Sequence, residues 1–326
     1  MTRETSKVLP TVSSKQAVAN ARRELEEGRD GKQRVLLTRW THLNRMLVGG
    51  FRFGKYYVLA GMSGGGKSYM LNMIRKDFLS LEMNGRFPYK YRLIHFAFEM
   101  SAADEVLRTV GGNIKVAYQD LISAFKRLPD DKYKEAVAYL SMMEDLDMDF
   151  VEVTGTTIQL ENTIMQYQGR YPEHRLVVTL DHTLLTEYLN EKDEIQLVSN
   201  LSRMALRIRK SIGALVIFVS QLNDKIEDST RLRAGNQQHP TKKDIHGAKA
   251  VYRDADGVMV LHYPSQLGIR QYGPTPSYDT TNRVFLHILK MRQGVPGMVV
   301  YTKDFRHGNL MEEFLVSPQL EQQNGG

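Results

Sequence analysis

Apolar residues in this chain gather in short runs separated by longer segments of mixed character. The runs at 56–60, 93–98, 150–153, 176–180, 215–220, 257–262 and 284–290 are mostly continuous, the pattern of strands buried on both faces. Segments between the earlier runs carry helical periodicity. In 193–212, Ile195, Val198, Leu201, Ala205, Ile208 and Ile212 share one stripe, while Arg203, Arg207 and Lys210 lie off it. The alternation predicts an α/β domain on a mainly parallel sheet flanked by helices. The last strands follow one another without helices, which predicts an antiparallel edge. The chain has no internal repeat.

The ends read differently. Residues 13–30 predict a short charged helix, with Ala17, Ala19, Ala21 and Leu25 among Lys, Arg and Glu, broken by Gly28 and Gly31. Residues 1–35 are therefore expected to form a tail and a linker helix, either docked on a neighbouring subunit or solvated. Residues 36–316 form the main domain, and 317–326 are expected to be a disordered tail. The segment 224–244 is polar, contains Gly235 and Pro240, and has no periodicity. A loop this long inside a compact domain is either functional or disordered.

The strongest chemical signal follows the first run. Gly61, Gly66, Lys67 and Ser68 occupy every fixed position of the phosphate-loop pattern G-x-x-x-x-G-K-[ST]. Ser63, Gly64 and Gly65 fill the loop, and Tyr69 opens the helix after it. Glycines let backbone N–H groups converge on a polyphosphate, and the helix N-terminus adds a favourable dipole. The pattern gives Lys67 to the β- and γ-phosphates of ATP and the Ser68 hydroxyl to Mg²⁺.

Three more polar residues end apolar runs: Glu99, Asp181 and Gln221. Open parallel sheets bind ligands at the carboxyl ends of their strands, so all three should share the rim of the phosphate loop. Asp181 suits Mg²⁺ binding through water. Glu99 suits a base that orients the attacking water, and Gln221 a side chain that senses the γ-phosphate. Lys290 and Arg292 are two residues apart in a strand and should share a face, opposite Leu289 and Met291. A Gly/Pro turn follows them. Two such cations could reach an anion on a neighbouring subunit as a finger acting in trans, or lie solvated on an edge strand.

With these motifs in place, residues 36 to about 301 resemble the ATPase domain of DnaB-type hexameric replicative helicases. The resemblance rests on Thr38-Arg-Trp-Thr-His-Leu-Asn-Arg-Met with Gly49-Gly, the phosphate loop, Phe98-Glu-Met100, Leu180-Asp181, Ser220-Gln-Leu-Asn223, Asp254-Ala-Asp256 and Lys290-Met-Arg-Gln-Gly294, in that order. It implies a RecA-like fold and a hexameric ring with ATP between subunits. It also implies 5′→3′ movement on single-stranded DNA, and a loader or primase as partner. In it Glu99 is the catalytic base, Gln221 the phosphate sensor, and Lys290 with Arg292 the trans-acting pair. The chain departs from the family at His182-Thr183, where Tyr-Leu is usual, and at 244–249, where an Arg near Gly-Ser is usual. Residues 1–35 are too few for the family's collar domain, which suits a phage-encoded protein.

Charge adds one element. The formal net charge is +7, which permits an anionic partner. Arg231, Arg233, Lys242, Lys243 and Lys249 cluster with Asp244 as the one acid, and the resemblance puts 245–249, including His246 and Gly247, on a pore-facing loop. The cluster is expected to track phosphates without reading bases; a solvated loop is the alternative. The absence of cysteine excludes disulfides and thiolate metal sites. No apolar run is long enough to span a membrane, and the first residues do not read as a signal peptide, so a cytoplasmic location is expected. A RecA-type recombinase filament and a nucleotide-switched loading factor are the other function classes compatible with these motifs.

Overall fold

The computed structural model describes residues 11–233, 238–273 and 277–313, without the side chains of Ser229, Arg233 and Ala248. The expected tail at 317–326 and residues 1–10 lie outside the described residues. The strands are β1 Tyr56–Gly61, β2 Tyr91–Ala97, β3 Met148–Val151, β4 Arg175–Asp181, β5 Leu215–Gln221, β6 Gly257–His262, β7 Gln271–Tyr272, β8 Tyr278–Asp279, β9 Arg283–Met291, β10 Gly297–Asp304 and β11 Asn309–Glu312. The helices are α1 Ser14–Arg29, α2 Thr41–Met46, α3 Lys67–Phe78, α4 Leu81–Asn84, α5 Ala102–Ile114, α6 Tyr118–Leu121, α7 Asp130–Glu144, α8 Thr157–Arg170, α9 Glu194–Ser211, α10 Ser229–Arg233 and α11 Ala248–Asp254.

Among the described residues, nine strands form one sheet in the order β11-β10-β9-β6-β1-β5-β4-β2-β3. Pairing is parallel from β3 to β6 and antiparallel from β6 through β9 and β10 to β11. The expected antiparallel edge is therefore present, with two strands, β10 and β11, beyond the apolar runs in the sequence. Alternation along β1 feeds two cores. Tyr56, Val58 and Ala60 face α8, α9 and α11, whereas Tyr57 and Leu59 face α2 and α3. None of the described helices is long and apolar enough to cross a membrane.

Several local expectations are corrected. Ile195, expected on the buried stripe of α9, is 61% exposed; Leu197 and Met204 are buried instead. Ile195 sits in the first turn, where it lines an open groove with Ile245 and Ala250. The segment 224–244 contains a 3-10 turn at Asp224–Glu227, helix α10 and a second turn at Lys242–Asp244. Short polar caps build these turns. The Asn223 side chain accepts from the Lys225 N–H, Asp228 accepts from Thr230, and Thr241 pairs with Asp244 in a capping box. Leu289 and Met291 do not share a face. A bulge in the β6–β9 pairing lets Leu289 pack on the α9 side, while Met291 joins the α3 side. Lys290 and Arg292 still point the same way.

The helix after the phosphate loop is anchored by a buried charge cluster. Arg75 of α3 pairs with Glu105 of α5. Glu105 also meets His95 Nε2 of β2 at 2.9 Å, and His95 Nδ1 lies 2.8 Å from Thr179 Oγ1 of β4. Burial opposes ionisation of Glu105, but the Arg75 guanidinium and His95 outweigh it and hold the carboxyl down to about 2. Burial, aided by the Arg75 charge, pushes His95 down to about 4.

Glu105→Gln leaves Arg75 buried without a countercharge and should lower the unfolding free energy in urea by about 3–5 kcal/mol. The cluster should also make stability depend on pH. For both Glu105 and His95 the unfolded chain binds protons first as pH falls. Stability should therefore decline from pH 6.5 toward 4, as His95 takes up its proton in the unfolded chain but stays neutral in the fold. It should decline further between 4.5 and about 2 as the Glu105 pair is titrated. Urea midpoints across this range measure both; a flat profile would remove the cluster from the stability argument.

Candidate functional site

Parallel register brings the carboxyl ends of the central strands to one side of the sheet, with β1, β5 and β6 reaching about two residues further than β4 and β2. Gly61 at the end of β1 pairs with Gln221 of β5 and with Leu261 of β6, and Asp181 of β4 pairs with Ala97 of β2. The phosphate loop rises from this rim. Gly64 and Gly66 adopt left-handed φ of +67° and +90°, which only glycine takes without strain. A Cβ on Gly61 would lie 2.7 Å from the Leu261 carbonyl oxygen. Lys67 opens α3 and turns back to donate its ammonium to the Met62 carbonyl at 2.7 Å. Burial holds this ammonium below its ordinary range, opposed by Asp181 and Glu99.

Asp181 is 5% exposed, and burial pushes its carboxyl up to about 6, against a hydrogen bond from Ser68. Its Oδ1 is buried with no hydrogen-bond partner. The Ser68 hydroxyl and an orphaned carboxylate oxygen form a donor set that suits a hard cation such as Mg²⁺. Glu99 lies just past β2 and is exposed, within electrostatic reach of Lys67, Asp181 and His182. His182 has a left-handed φ of +69°, and its Nε2 lies 2.6 Å from the Gln221 amide.

The same strand ends continue into the basic segment. The Gln221 carbonyl accepts the His246 N–H at 3.3 Å, and Leu222 bridges to Ile245. Lys242, Lys243 and Lys249 are exposed beside this junction. His246 is half-buried and faces Glu194 at 3.6 Å. Gly247 is buried with φ +63°, and a Cβ there would collide with Val198, so its observed role is close packing. Arg231, expected in the DNA-binding cluster, is turned inward onto Asp244 at 2.5 Å and donates to the His239 carbonyl, closing the segment on itself. The side chain of Arg233 lies outside the described residues.

Lys290 and Arg292 stand elsewhere. Lys290 donates to the Tyr252 carbonyl, and Arg292 Nη2 donates to the Arg253 carbonyl at 2.6 Å, at the C-terminal end of α11. Burial and the neighbouring Arg292 hold the Lys290 ammonium below its ordinary range. Met291, between them, pairs with Gly257, which pairs with Tyr57 at the start of β1. Tyr57 lies about 13 Å from Gly61 at the usual strand rise of about 3.3 Å per residue. The pair therefore sits at the opposite rim from its own phosphate loop.

Two groups of site residues escape a reading of the sequence. Phe305, in the β10–β11 turn, packs where a Cβ on Gly66 would be. It stacks on Tyr69 at 5.7 Å and meets Tyr263 edge-on at 5.8 Å, with Lys303 over both Tyr263 and Phe305. An isolated aromatic in a turn carries no periodic signal. Asp256 stands out in the sequence only as part of a motif. It joins Arg209 at 2.6 Å and lies 3.8 Å from Arg292.

The family model described as the DnaB-like helicase C terminal domain matches residues 36–307. No curated protein matches the chain in sequence. Among solved structures, the chain is similar to one described as an ATPase domain, with a TM-score of 0.78 and 17% identity, over 94% of this chain and 100% of that one. It is also similar to a DnaB-like replicative helicase described with its interactions with primase, with a TM-score of 0.76 and 18% identity, over 92% of this chain and 68% of that one. At such identities these likenesses speak for the fold, a RecA-like sheet with a phosphate loop at its rim. The family match spans most of the chain and contains the phosphate loop, Glu99, Asp181, Gln221, Lys290 and Arg292; the chain belongs to the DnaB-like helicase C-terminal domain family.

Proposed function

We propose that this protein is an ATP-driven replicative helicase whose copies form a ring, a hexamer, around single-stranded DNA and move 5′→3′. The observation that carries this reading is the continuity of the rim. Gln221 stands level with Gly61 at the start of the phosphate loop; its carbonyl holds His246 of the lysine-bearing segment, and the next residue, Leu222, bridges to Ile245. A change at the nucleotide thus has a direct route to the cations. A forked duplex with a labelled strand tests it: ATP-dependent displacement is expected. ATPase activity that DNA does not stimulate, with no displacement, would favour a loading factor.

In the proposed reaction the loop amides and Lys67 hold the ATP phosphates. Ser68 and Asp181 would hold Mg²⁺, which supplies charge neutralisation at the phosphates. Glu99 orients and polarises the attacking water. The stacked Tyr69 and Phe305 with Tyr263 offer an apolar wall to the nucleotide base. Lys290 and Arg292, remote from their own loop, act on the nucleotide of the next subunit. Single-stranded DNA runs past Lys242, Lys243 and Lys249. The primase named with one structural relative makes a primase a candidate partner here.

Lys67→Ala should abolish hydrolysis and weaken nucleotide binding, because the cation of the loop is lost. Glu99→Gln should keep binding and stop turnover. A wild-type ATPase rate for Glu99→Gln would remove Glu99 from its role.

Changing Lys242, Lys243 and Lys249 together to Ala should weaken single-stranded DNA binding with little dependence on sequence. Each lost phosphate contact should flatten the log–log salt slope by about 0.7. Unchanged affinity and slope would move the DNA path elsewhere.

Arg292→Ala should suppress hydrolysis by about 10³–10⁵, the scale of a trans-acting arginine, while nucleotide binding persists. Mixing Arg292→Ala with Lys67→Ala subunits should restore some ATPase activity at junctions that pair an intact Lys67 with an intact Arg292. Full activity of Arg292→Ala alone would end the shared-site reading.

A further inference from the structure

His182 stands just past the end of β4. It follows the buried Asp181 directly and takes a left-handed φ of +69°, a conformation that costs a non-glycine residue and clusters at functional sites. The turn aims the imidazole at Gln221. The nearest atom there is the amide nitrogen, 2.6 Å from Nε2. The other ring nitrogen, Nδ1, is buried and has no hydrogen-bond partner.

These facts decide which end of the amide suits the site. A neutral imidazole has one N–H and one lone pair, and an amide has a donor end and an acceptor end. If the Gln221 nitrogen donates to Nε2, the imidazole proton must sit on Nδ1, where it is buried and unsatisfied. If the amide turns over, its oxygen accepts from Nε2–H. Nδ1 then carries only a lone pair, and no donor is orphaned. A separation of 2.6 Å also suits a short N–H···O contact better than one between two nitrogens. In that arrangement both Gln221 N–H groups are free to face outward. An anionic phosphate at the rim can be bound by N–H groups and not by a carbonyl oxygen.

We propose that His182 is a positioning residue that holds Gln221 by its amide oxygen, so that the Gln221 amino group faces the γ-phosphate. The inference rests on the reading of Gln221 as the phosphate sensor and gives that sensor an orienting partner. Because the Gln221 backbone also receives the His246 N–H, the same contact steadies the junction to the basic segment.

The test is a double-mutant cycle on the full chain, with single-stranded DNA and ATP. His182→Phe keeps a ring but removes the hydrogen bond. It should lower kcat by about 10–100-fold, by analogy with the loss of a residue that orients a metal ligand, with KM for ATP little changed. Combined with Gln221→Ala it should add nothing to the effect of Gln221→Ala alone. His182→Gln places a donor N–H where Nε2 stood and should recover part of the rate, which a purely structural role would not predict. If Gln221→Ala hydrolyses ATP at the wild-type rate, the sensor reading fails and the inference with it. If Gln221→Ala is slow while His182→Phe is normal, or if the two effects multiply, only the positioning role is overturned. Nitrogen-15 NMR of histidine-labelled wild-type protein reads the same point without relying on the folding of a variant. The His182 signal, identified by its loss in His182→Gln, should show the Nε2–H tautomer; the Nδ1–H tautomer overturns the proposal.

Discussion

The parallel pairing of β1 between β5 and β6 is the constraint on which the rest depends. A parallel ladder fixes which strand ends are level, and here Gly61, Gln221 and Leu261 come out side by side. β4 and β2 end about two residues short of that row, where Leu180 pairs with Phe218 and Asp181 with Ala97. A one-residue slip in either ladder would flip every side chain to the other face, which both cores forbid. Tyr56 and Val58 belong on the α9 side, Tyr57 and Leu59 on the α3 side. Packing along the whole length of the strands therefore sets the geometry at their tips. The antiparallel turn of β9 takes Lys290 and Arg292 to the opposite rim.

Two buried carboxylates brace that frame away from the rim. Glu105 ties α5 to α3 and β2. Asp256 accepts the Tyr56 N–H at 3.0 Å and pairs with Arg209 near the end of α9, with Lys55 and Arg292 at 3.8 Å. Buried ion pairs add little net stability compared with apolar packing, but breaking one is costly. Their effect here is to fix relative position: Glu105 the seat of the phosphate-loop helix, Asp256 the start of β1 and the base of Arg292. Within the chain, Arg292 is approached by Asp256 and donates to the Arg253 carbonyl.

Much of this was legible in the sequence, because the informative features were long or local. Continuous apolar runs announce buried parallel strands, and the phosphate-loop pattern is contiguous. The rule that ligands gather at carboxyl strand ends then brought Glu99, Asp181 and Gln221 to the same rim. The misses share a cause: each depends on how the folded chain packs around the residue. The bulge at Leu289 arises from pairing with β6, so parity along β9 alone could not reveal it. Ile195 continues the helical period but lies beyond the cover of the sheet. Arg231 counts as a cation by composition, and only the fold shows it bound to Asp244. Phe305 reaches Gly66 because β10 and β11 carry their turn across the start of α3.

The inward turn of Arg231 changes the physics of the basic segment. A free polar loop would lose conformational entropy on meeting a phosphate chain. Here Asp244 is buried under Arg231 and the Thr241 cap, and the Asn223 N–H donates to the Asp244 carbonyl at 2.7 Å. The lysines at 242, 243 and 249 therefore project from a backbone already fixed at several points. A preorganised surface loses less on binding, so fewer cations suffice for a given affinity. The segment is tied to Gln221 and Leu222 on one side and packed through Gly247 on Val198 of α9 on the other. Under the proposed function, a shift of Gln221 at the nucleotide reaches the lysines as a displacement of a braced unit, where a flexible tether would absorb it.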